Sequence, residues 1–251
     1  MTIKNERQSE QHVKQQVKQQ VKQQGFTIVE LMVATIVFTV ILVGAMAGLI
    51  LVGRIYYKGV TNARLQETNR TILSEITQSI QFSKQAIIEP NLTPGPITIA
   101  DNNNPNTDTG FFCVGPKRYT YALDRKVTPN PSQAKERRHG LWADIPAAEA
   151  CSAASPRENI TVDNPCDDGT CTDGRELIGE NMRVTRIDIE EIMGAGASST
   201  GLWRVSVSLA YGDNDLLEVD PAGRYICAPG QLSSEFCAIS ELSTTVLRRI
   251  P

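Results

Sequence analysis

The sequence GFTIVEL, residues 25–31, opens an apolar run that extends over residues 26–52 and contains one charged side chain, Glu30. A helix needs about 20 apolar residues to cross the hydrocarbon core of a bilayer, so this run is long enough. An acidic side chain costs roughly 2.5–3.5 kcal/mol at bilayer depth, so Glu30 requires a partner or a purpose. Gly44 and Gly48 form a G-x-x-x-G pair that lets membrane helices approach closely, although glycine is common in such helices.

A polar, basic leader, residues 1–25, precedes the apolar run. It repeats Val-Lys-Gln-Gln three times between Val13 and Gln24, and it holds five basic and two acidic residues. A secretory signal peptide has its apolar core before the cleavage site, whereas here the apolar core follows the leader. The positive charge predicts that the leader stays cytoplasmic. The alternative is an uncleaved signal anchor.

One long helix is predicted to continue beyond the apolar run. No helix breaker occurs between Arg54 and Pro90. Apolar residues recur there at helical spacing and form an amphipathic face suited to packing against a sheet: Ile72, Leu73, Ile76, Ile80 and Ile87. We expect the helix to end near Ile87. Its transmembrane and assembly half is residues 26–52, and its amphipathic half is 53–89.

The remaining residues, 90–251, are predicted to form an extracytoplasmic, β-rich head of roughly 165 residues, enough for one modest core. Residues 182–192 and 203–211 read as an antiparallel hairpin, because the second segment alternates strictly between apolar and polar side chains. Shorter strands are predicted at 97–99, 111–114, 117–123 and 244–247, and loops at 101–109, 128–140 and 159–175. The predicted fold class is α+β, with the long N-terminal helix packed on an antiparallel β-sheet head.

All six cysteines lie beyond the apolar run: Cys113, Cys151, Cys166, Cys171, Cys227 and Cys237. An even number on an exported side predicts disulfides, and buried free thiols are the alternative. No C-x-x-C pair occurs, so zinc and thioredoxin-type chemistry have no support. Six cysteines allow many pairings. Our first choice joins Cys227 to Cys237, and our second joins Cys113 to Cys151 and leaves Cys166 with Cys171.

The head offers few candidates for ligand binding. Without the leader the chain has 20 basic and 26 acidic residues, which argues mildly against binding nucleic acid through its phosphates. A local basic patch is conceivable in the segment 128–140, with a solvated loop as the alternative; its cations are Lys135, Arg137, Arg138 and His139. Four aspartates do not match the spacing of an EF-hand calcium loop: Asp163, Asp167, Asp168 and Asp173.

Catalytic patterns are absent from the sequence. His139 is the one histidine outside the leader, and no G-x-S-x-G, H-E-x-x-H or P-loop motif occurs. Glu190 and Glu191 are neighbours on a predicted strand and would face opposite sides, which suits joint acid–base work poorly. We therefore predict no enzyme, no cofactor and no metal.

The segment GFTIVELMVA, residues 25–34, resembles the type IV prepilin family, which includes the pseudopilins of type II secretion. The resemblance covers about the first 30 residues after the leader. It implies cleavage between Gly25 and Phe26 by a prepilin peptidase, followed by N-methylation of Phe26. It also implies that Glu30 acts in subunit assembly by pairing with the methylated amine of a neighbouring copy, which would fix the register of the helices. The alternative is that Glu30 neutralises its own N-terminus.

This resemblance implies three alternative functions: a structural subunit of a type IV pilus-like filament, a pseudopilin of a type II secretion or DNA-uptake system, or a prepilin-anchored extracellular binding domain. The size of the head favours a minor pilin, whose loops would meet a surface. Expected partners are the prepilin peptidase and N-methyltransferase, other pilin subunits, the inner-membrane assembly platform, and membrane lipid before assembly. No nucleic acid is expected. The expected location is the bacterial cytoplasmic membrane, with the leader inside and the C-terminus outside, and then an extracellular filament.

Overall fold

The structure is a computed structural model that describes residues 26–83, 87–88, 97–100, 109–133, 135–147, 151, 164–167, 169–193, 201–230 and 236–248. The chain divides into two compact units, Met1–Val52 and Gly53–Pro251. One helix, α1 (Ile28–Phe82), begins in the first unit and ends in the second. The described part of the first unit is the start of α1 with the two residues before it, and the second unit contains the strands.

Two antiparallel sheets form the larger part of the described head. The strands are β1 (Ile87–Ile88), β2 (Ile97–Ala100), β3 (Thr109–Val114), β4 (Lys117–Ala122), β5 (Lys126–Val127), β6 (Glu136–Arg137), β7 (Leu141–Pro146), β8 (Cys171–Glu176), β9 (Met182–Met193), β10 (Leu202–Tyr211), β11 (Leu217–Val219), β12 (Tyr225–Cys227) and β13 (Ala238–Leu247). The five-stranded sheet has the order β1-β3-β4-β7-β8, and the four-stranded sheet has the order β13-β10-β9-β2. β11 and β12 form a hairpin, and β5 and β6 form a short parallel pair. These elements confirm the predicted α+β class.

The β9–β10 hairpin is confirmed and lies at the centre of the four-stranded sheet. Val205 pairs with Ile189 and Val207 with Ile187, and all four side chains are fully buried. The register shifts by one residue near Thr185, whose hydroxyl donates to the Ser208 carbonyl at 3.1 Å. An extra residue at this bulge moves the following side chains to the other face. The bulge therefore explains why the apolar alternation of β9 is imperfect in the sequence.

The shorter strands follow the sequence less closely. The strands predicted at 97–99, 111–114 and 117–123 are found as β2, β3 and β4. The last strand was predicted to begin at Thr244 but begins at Ala238. The prediction of a loop at 159–175 is wrong for its last residues, because residues 171–176 form β8. A polar strand at a sheet edge leaves no apolar periodicity, since its outward side chains meet solvent.

Helix α1 ends at Phe82, so the predicted end near Ile87 is wrong. Ile87 and Ile88 form strand β1 and pair with the end of β3. The next residue after the helix, Ser83, is buried; its carbonyl accepts a bond from Arg248 Nε at 3.1 Å. A Cβ on Gly115, in the β3–β4 turn, would lie 2.7 Å from the Ser83 hydroxyl. The helix thus ends where distant segments contact the chain, and the helical periodicity of the sequence gives no sign of such contacts.

The second half of α1 buries one face against both sheets. Its fully buried side chains recur at three- and four-residue spacing: Leu65, Asn69, Ile72, Ile76 and Ile80. The leucine and the three isoleucines belong to one apolar core with Phe112 and Tyr119 of the five-stranded sheet and with the inner face of β10. Complete burial of each such aliphatic side chain contributes about 1.5–3 kcal/mol. This packing confirms the predicted amphipathic face for the described part of the helix.

Polar side chains fix α1 to each sheet separately. Asn69 Nδ2 donates to the carbonyls of Val207 and Ser240 at 3.0 Å, which ties the helix to the four-stranded sheet. Glu75 forms ion pairs with Lys117 and Arg175 of the five-stranded sheet. Burial raises the pKa of the Glu75 carboxyl, but these two cations outweigh it and hold the pKa below its ordinary value. The stabilisation is therefore present at neutral pH and is lost as pH falls through the folded-state pKa.

Replacing Asn69 by alanine is expected to destabilise the head by about 2–3 kcal/mol, because two strand carbonyls lose a buried donor. Chemical unfolding of the full chain in detergent measures the loss. The exposed Gln66, one turn away on the polar face, provides the control: Gln66→Ala should change the stability by less than about 0.5 kcal/mol. Equal losses in the two variants would show that Asn69 is not a specific tie.

Candidate assembly site and the other predicted sites

The start of α1 is closed by a reciprocal pair of hydrogen bonds. The Glu30 amide donates to Thr27 Oγ1 at 3.2 Å, and the Thr27 amide donates to Glu30 Oε2 at 3.4 Å. This arrangement is a capping box, which supplies acceptors to two amides that a helix start otherwise leaves unsatisfied. The carboxylate also lies at the positive end of the helix dipole. Within the single chain, Glu30 therefore has its own helix start as a partner.

Thr27 is a residue that our sequence interpretation missed. A threonine followed three residues later by glutamate, ahead of an apolar run, is the signal for a capping box. Phe26, the residue before Thr27, is not helical and is 82% exposed. Gly25 lies outside the described residues, and cleavage between Gly25 and Phe26 stays a prediction.

Among the described residues of the first unit, the apolar run has no covering partner. Every side chain from Phe26 to Val52 is exposed, and Leu49 reaches 72%. Within the described residues, α1 is long enough and apolar enough to cross a membrane. A Cβ at Gly44 or Gly48 would meet no heavy atom within 4 Å. This surface is therefore suited to membrane anchoring and to close approach by another helix.

The structure joins the six cysteines in three disulfides. Cys113 and Cys151 are both 1% exposed, and their bridge ties β3 to a residue that follows β7. The other bridges lie just before β8 and between β12 and β13. The pairs are Cys113–Cys151, Cys166–Cys171 and Cys227–Cys237. The Asp144 carboxylate lies close to two of these sulfurs, but sulfurs in a disulfide offer no thiolate to a metal.

The three bridges should differ in their effect on stability. Their sequence separations are 38 for Cys113–Cys151 and 5 for Cys166–Cys171. Loop-closure entropy predicts that removing the first bridge by serine replacement costs about 4 kcal/mol and removing the second about 2 kcal/mol. Urea unfolding of the two double variants measures the difference. A larger loss from the short bridge would contradict this order.

In the segment 128–140, residues 129–133 are exposed, as expected of a solvated loop, whereas that expectation is wrong for Glu136 and His139. Both side chains are buried, and the parallel β5–β6 pair lies in the same region. Glu136 Oε2 accepts bonds from the amides of Ser132 and Gln133 at 2.8 and 3.1 Å. These bonds lower the pKa of the Glu136 carboxyl. Hydrogen bonds to an acceptor within the segment, such as the Glu136 carboxylate, hold a polar segment in one conformation although its sequence has no apolar pattern.

The four cations predicted for a basic patch do not have equal exposure. Lys135 is exposed and pairs with the buried Asp124 at 2.6 Å. Arg137 and Arg138 are half-buried, and each donates to a backbone carbonyl, at 2.8 and 3.0 Å. His139 Nδ1 lies 3.1 Å from a Glu176 carboxylate oxygen, so this histidine, just before β7, contacts the last residue of β8. The four residues therefore do not form one exposed surface.

Of the four aspartates considered for calcium, the structure describes Asp167 and Asp173. Asp163 and Asp168 lie outside the described residues. Asp167 Oδ1 accepts a bond from Asn164 Nδ2 at 2.6 Å. Asp173 lies in β8 with a φ of 53°. Within the described residues these side chains form no group of ligands that could hold a metal ion.

Comparison with known families identifies the start of the chain. Residues 21–46 match the prokaryotic N-terminal methylation motif. The chain therefore has a type IV prepilin-like N-terminal segment, a motif of structural rather than catalytic proteins. The motif implies processing by a prepilin peptidase and assembly with other pilin subunits. No curated protein and no solved structure shows significant similarity to the chain.

Proposed function

We propose that this protein is a structural subunit of a type IV pilus-like filament, a minor pilin assembled through its N-terminal helix. The observation that supports this function best is the division of α1. Its residues 28–52 are all exposed and contain one charge, whereas its second half buries one face in the head. Such a segment needs lipid before assembly and neighbouring helices afterwards, because exposed apolar surface of this extent is unfavourable in water.

Cleavage between Gly25 and Phe26 would create the second component of the assembly site. The new amine, N-methylated on Phe26, carries a positive charge near the Glu30 carboxylate of another copy. The capping bonds of Glu30 are 3.2 to 3.5 Å long and involve neutral partners. A charged amine is a stronger partner than a neutral donor. Glu30 would therefore exchange its own helix start for a neighbouring N-terminus, and only one stagger of the helices would satisfy both charges.

The head supports a role outside the cytoplasm. Its three disulfides are the bonds of an oxidising compartment. In this proposal the leader, residues 1–25, is cytoplasmic and is removed, and residues 53–251 lie outside the membrane. The partners are the processing enzyme, the inner-membrane assembly platform and other pilin subunits, and no nucleic acid is required.

Immunogold labelling of sheared filaments with an antibody to the head tests the proposal. A minor pilin should label filaments at the tip or at sparse positions on the shaft. A pseudopilin of a secretion or DNA-uptake system should remain with the cell envelope, and deletion of the gene should then impair export or uptake. A processed protein that stays in the membrane, with neither filaments nor a secretion defect, would contradict the proposal and favour an anchored binding domain.

A further inference from the structure

The five-stranded and four-stranded sheets have four edge strands, and three of these are poorly suited to pairing with a further strand. β1 has two residues and β2 has four. β8 contains Asp173, whose φ of 53° interrupts the extended backbone, and its register with β7 shifts after Ala143. Short or irregular edges are a common means by which a sheet avoids pairing with other chains.

The fourth edge strand, β13, has none of these protections. Its ten residues all pair with β10, and the register does not shift. The strand contains no proline, glycine or lysine and one charged residue, Glu241. Within the described residues, β13 has no strand on its other side. Every second residue of an antiparallel ladder directs its N–H and C=O away from the partner strand, so β13 presents a row of backbone donors and acceptors on its open side.

The side chains of β13 are accessible over much of the strand. Those at positions 241, 243, 244, 245 and 247 are exposed, and Leu247 is 56% exposed. The exposure includes both faces of the strand, because neighbouring residues such as Ser243 and Thr244 point to opposite faces. An extended segment could therefore approach the open side of β13 without displacing a described part of the head.

The two faces of β13 indicate which side chains an added strand would carry. On the face that packs against the apolar core, Leu242 is half-buried. On the opposite face, Glu241 shares a cross-strand row with Arg186. Arg186 already pairs with Asp188 at 2.5 Å. Because the side chains of an added strand lie beside those of β13, an apolar side chain is favoured next to Leu242 and a cation next to Glu241.

We infer that β13 is a strand-addition site for an extended segment of a different pilin subunit. The segment alternates apolar and polar side chains and carries a cation beside Glu241. In this mode of recognition, main-chain hydrogen bonds supply affinity and alternate side chains supply specificity. The contact ties this protein to a neighbour without making it polymerise with itself, as a sparse or tip-located subunit requires. The inference rests on the proposed filament function and deepens it by naming the kind of partner.

Proline substitution distinguishes the two sides of β13. Ser243 and Thr244 are adjacent, so one directs its N–H toward β10 and the other toward the open side. Proline removes the N–H and is tolerated in an edge strand where that N–H faces outward. Of Ser243→Pro and Thr244→Pro, the variant whose urea midpoint stays close to that of the unaltered chain is the one changed on the open side. In cells that produce filaments from the full chain, we expect this variant to decrease at least about tenfold in sheared filaments, because it removes main-chain bonds to the added strand.

Ser243→Ala and Thr244→Ala are the matched controls for the two proline variants. Alanine removes the same side-chain hydroxyl but keeps the N–H, so both alanine variants should be incorporated as the unaltered chain is. Normal incorporation of the stable proline variant would overturn the inference.

A photo-crosslinking amino acid placed in turn at positions 241, 243 and 245 provides a second measurement, which does not depend on the stability of the proline variants. Side chains on one face of neighbouring strands recur every two residues. The three positions should therefore trap one segment of a different subunit with a prepilin-type N-terminus, at sites that shift by two residues each time. The same group at the exposed position 172 of β8 should not trap that segment.

Two crosslinking results would overturn the inference and leave the filament function standing. One is a crosslink to β13 of a second copy, and the other is a set of scattered crosslinks with no common segment, in each case with the protein present in filaments. Absence of the unaltered protein from every filament would overturn both the filament function and the inference that rests on it.

Discussion

Replacement of Gly25 by valine is expected to leave the chain as an uncleaved precursor. Residues 21–46 match the N-terminal methylation motif, and we propose that the peptide bond after Gly25 is the one cut. A branched side chain beside the scissile bond would occupy space that the enzyme keeps for the glycine backbone. A loss of processing of a hundredfold corresponds to about 2.7 kcal/mol of transition-state stabilisation. Mass spectrometry of the purified protein measures the result, because in our proposal the processed chain would begin with N-methylated Phe26.

The control for this variant is the same substitution at a glycine inside α1. A side chain at Gly59 would meet no heavy atom within 4 Å, so Gly59→Val should be processed as the unaltered chain is. A Gly25→Val chain that carries a Phe26 N-terminus at the normal rate would refute the proposed cleavage site. Loss of membrane insertion in both variants would instead indicate a general effect on the helix.

Replacement of Glu30 by leucine is expected to abolish assembly into filaments while processing continues. Leucine removes the capping bond that the Glu30 carboxylate accepts as well as the charge, and it leaves the bond from the residue-30 amide to Thr27 Oγ1. Two further variants therefore separate the two roles of the carboxylate. Glu30→Gln keeps an acceptor for the capping box, which accommodates glutamine, but has no charge. Thr27→Ala removes a capping partner, at a cost of about 1 kcal/mol, but keeps the charge. If the charge pairs with a neighbouring amine, Glu30→Gln should fail to assemble and Thr27→Ala should assemble.

Quantification of the protein in sheared filaments, relative to the membrane fraction, measures this series. The pairing proposal requires a loss of at least about tenfold for Glu30→Gln, as expected when the partner charge is left buried and unpaired. The opposite order, with Thr27→Ala defective and Glu30→Gln normal, would show that Glu30 acts through the capping box. Normal assembly of Glu30→Leu would reject a role in assembly altogether.

The sequence predicted those elements whose own periodicity specifies them. The apolar run and the spacing of Ile72, Ile76 and Ile80 predicted most of α1, and strict alternation predicted β10. The end of α1 was not predictable, because Ser83 is held by Arg248, a residue 165 positions away. Asn69 was missed for the same reason: nothing in a helical pattern shows that an amide will meet two strand carbonyls.

In the candidate assembly site, the positions of Glu30 and of the apolar face were predicted from the sequence. The role of Glu30 as a capping residue of its own helix was not. Its two bonds with Thr27 were open to inference from the Thr-x-x-Glu spacing. The neighbouring amine that we propose as its final partner belongs to another copy. A single chain therefore shows Glu30 in its capping contact with Thr27 and not in the proposed contact with a neighbouring amine. Variants at both Glu30 and Thr27 are needed to separate the two contacts.

The separate attachment of α1 to the two sheets has a mechanical consequence. Asn69 holds the helix to one sheet, and Glu75 holds it to the other. A tensile load applied along the helix would act in shear on both attachments and on the apolar face between them, so the contacts would have to break together rather than one after another. A head built in this way should resist traction better than one fastened to its helix through a single sheet.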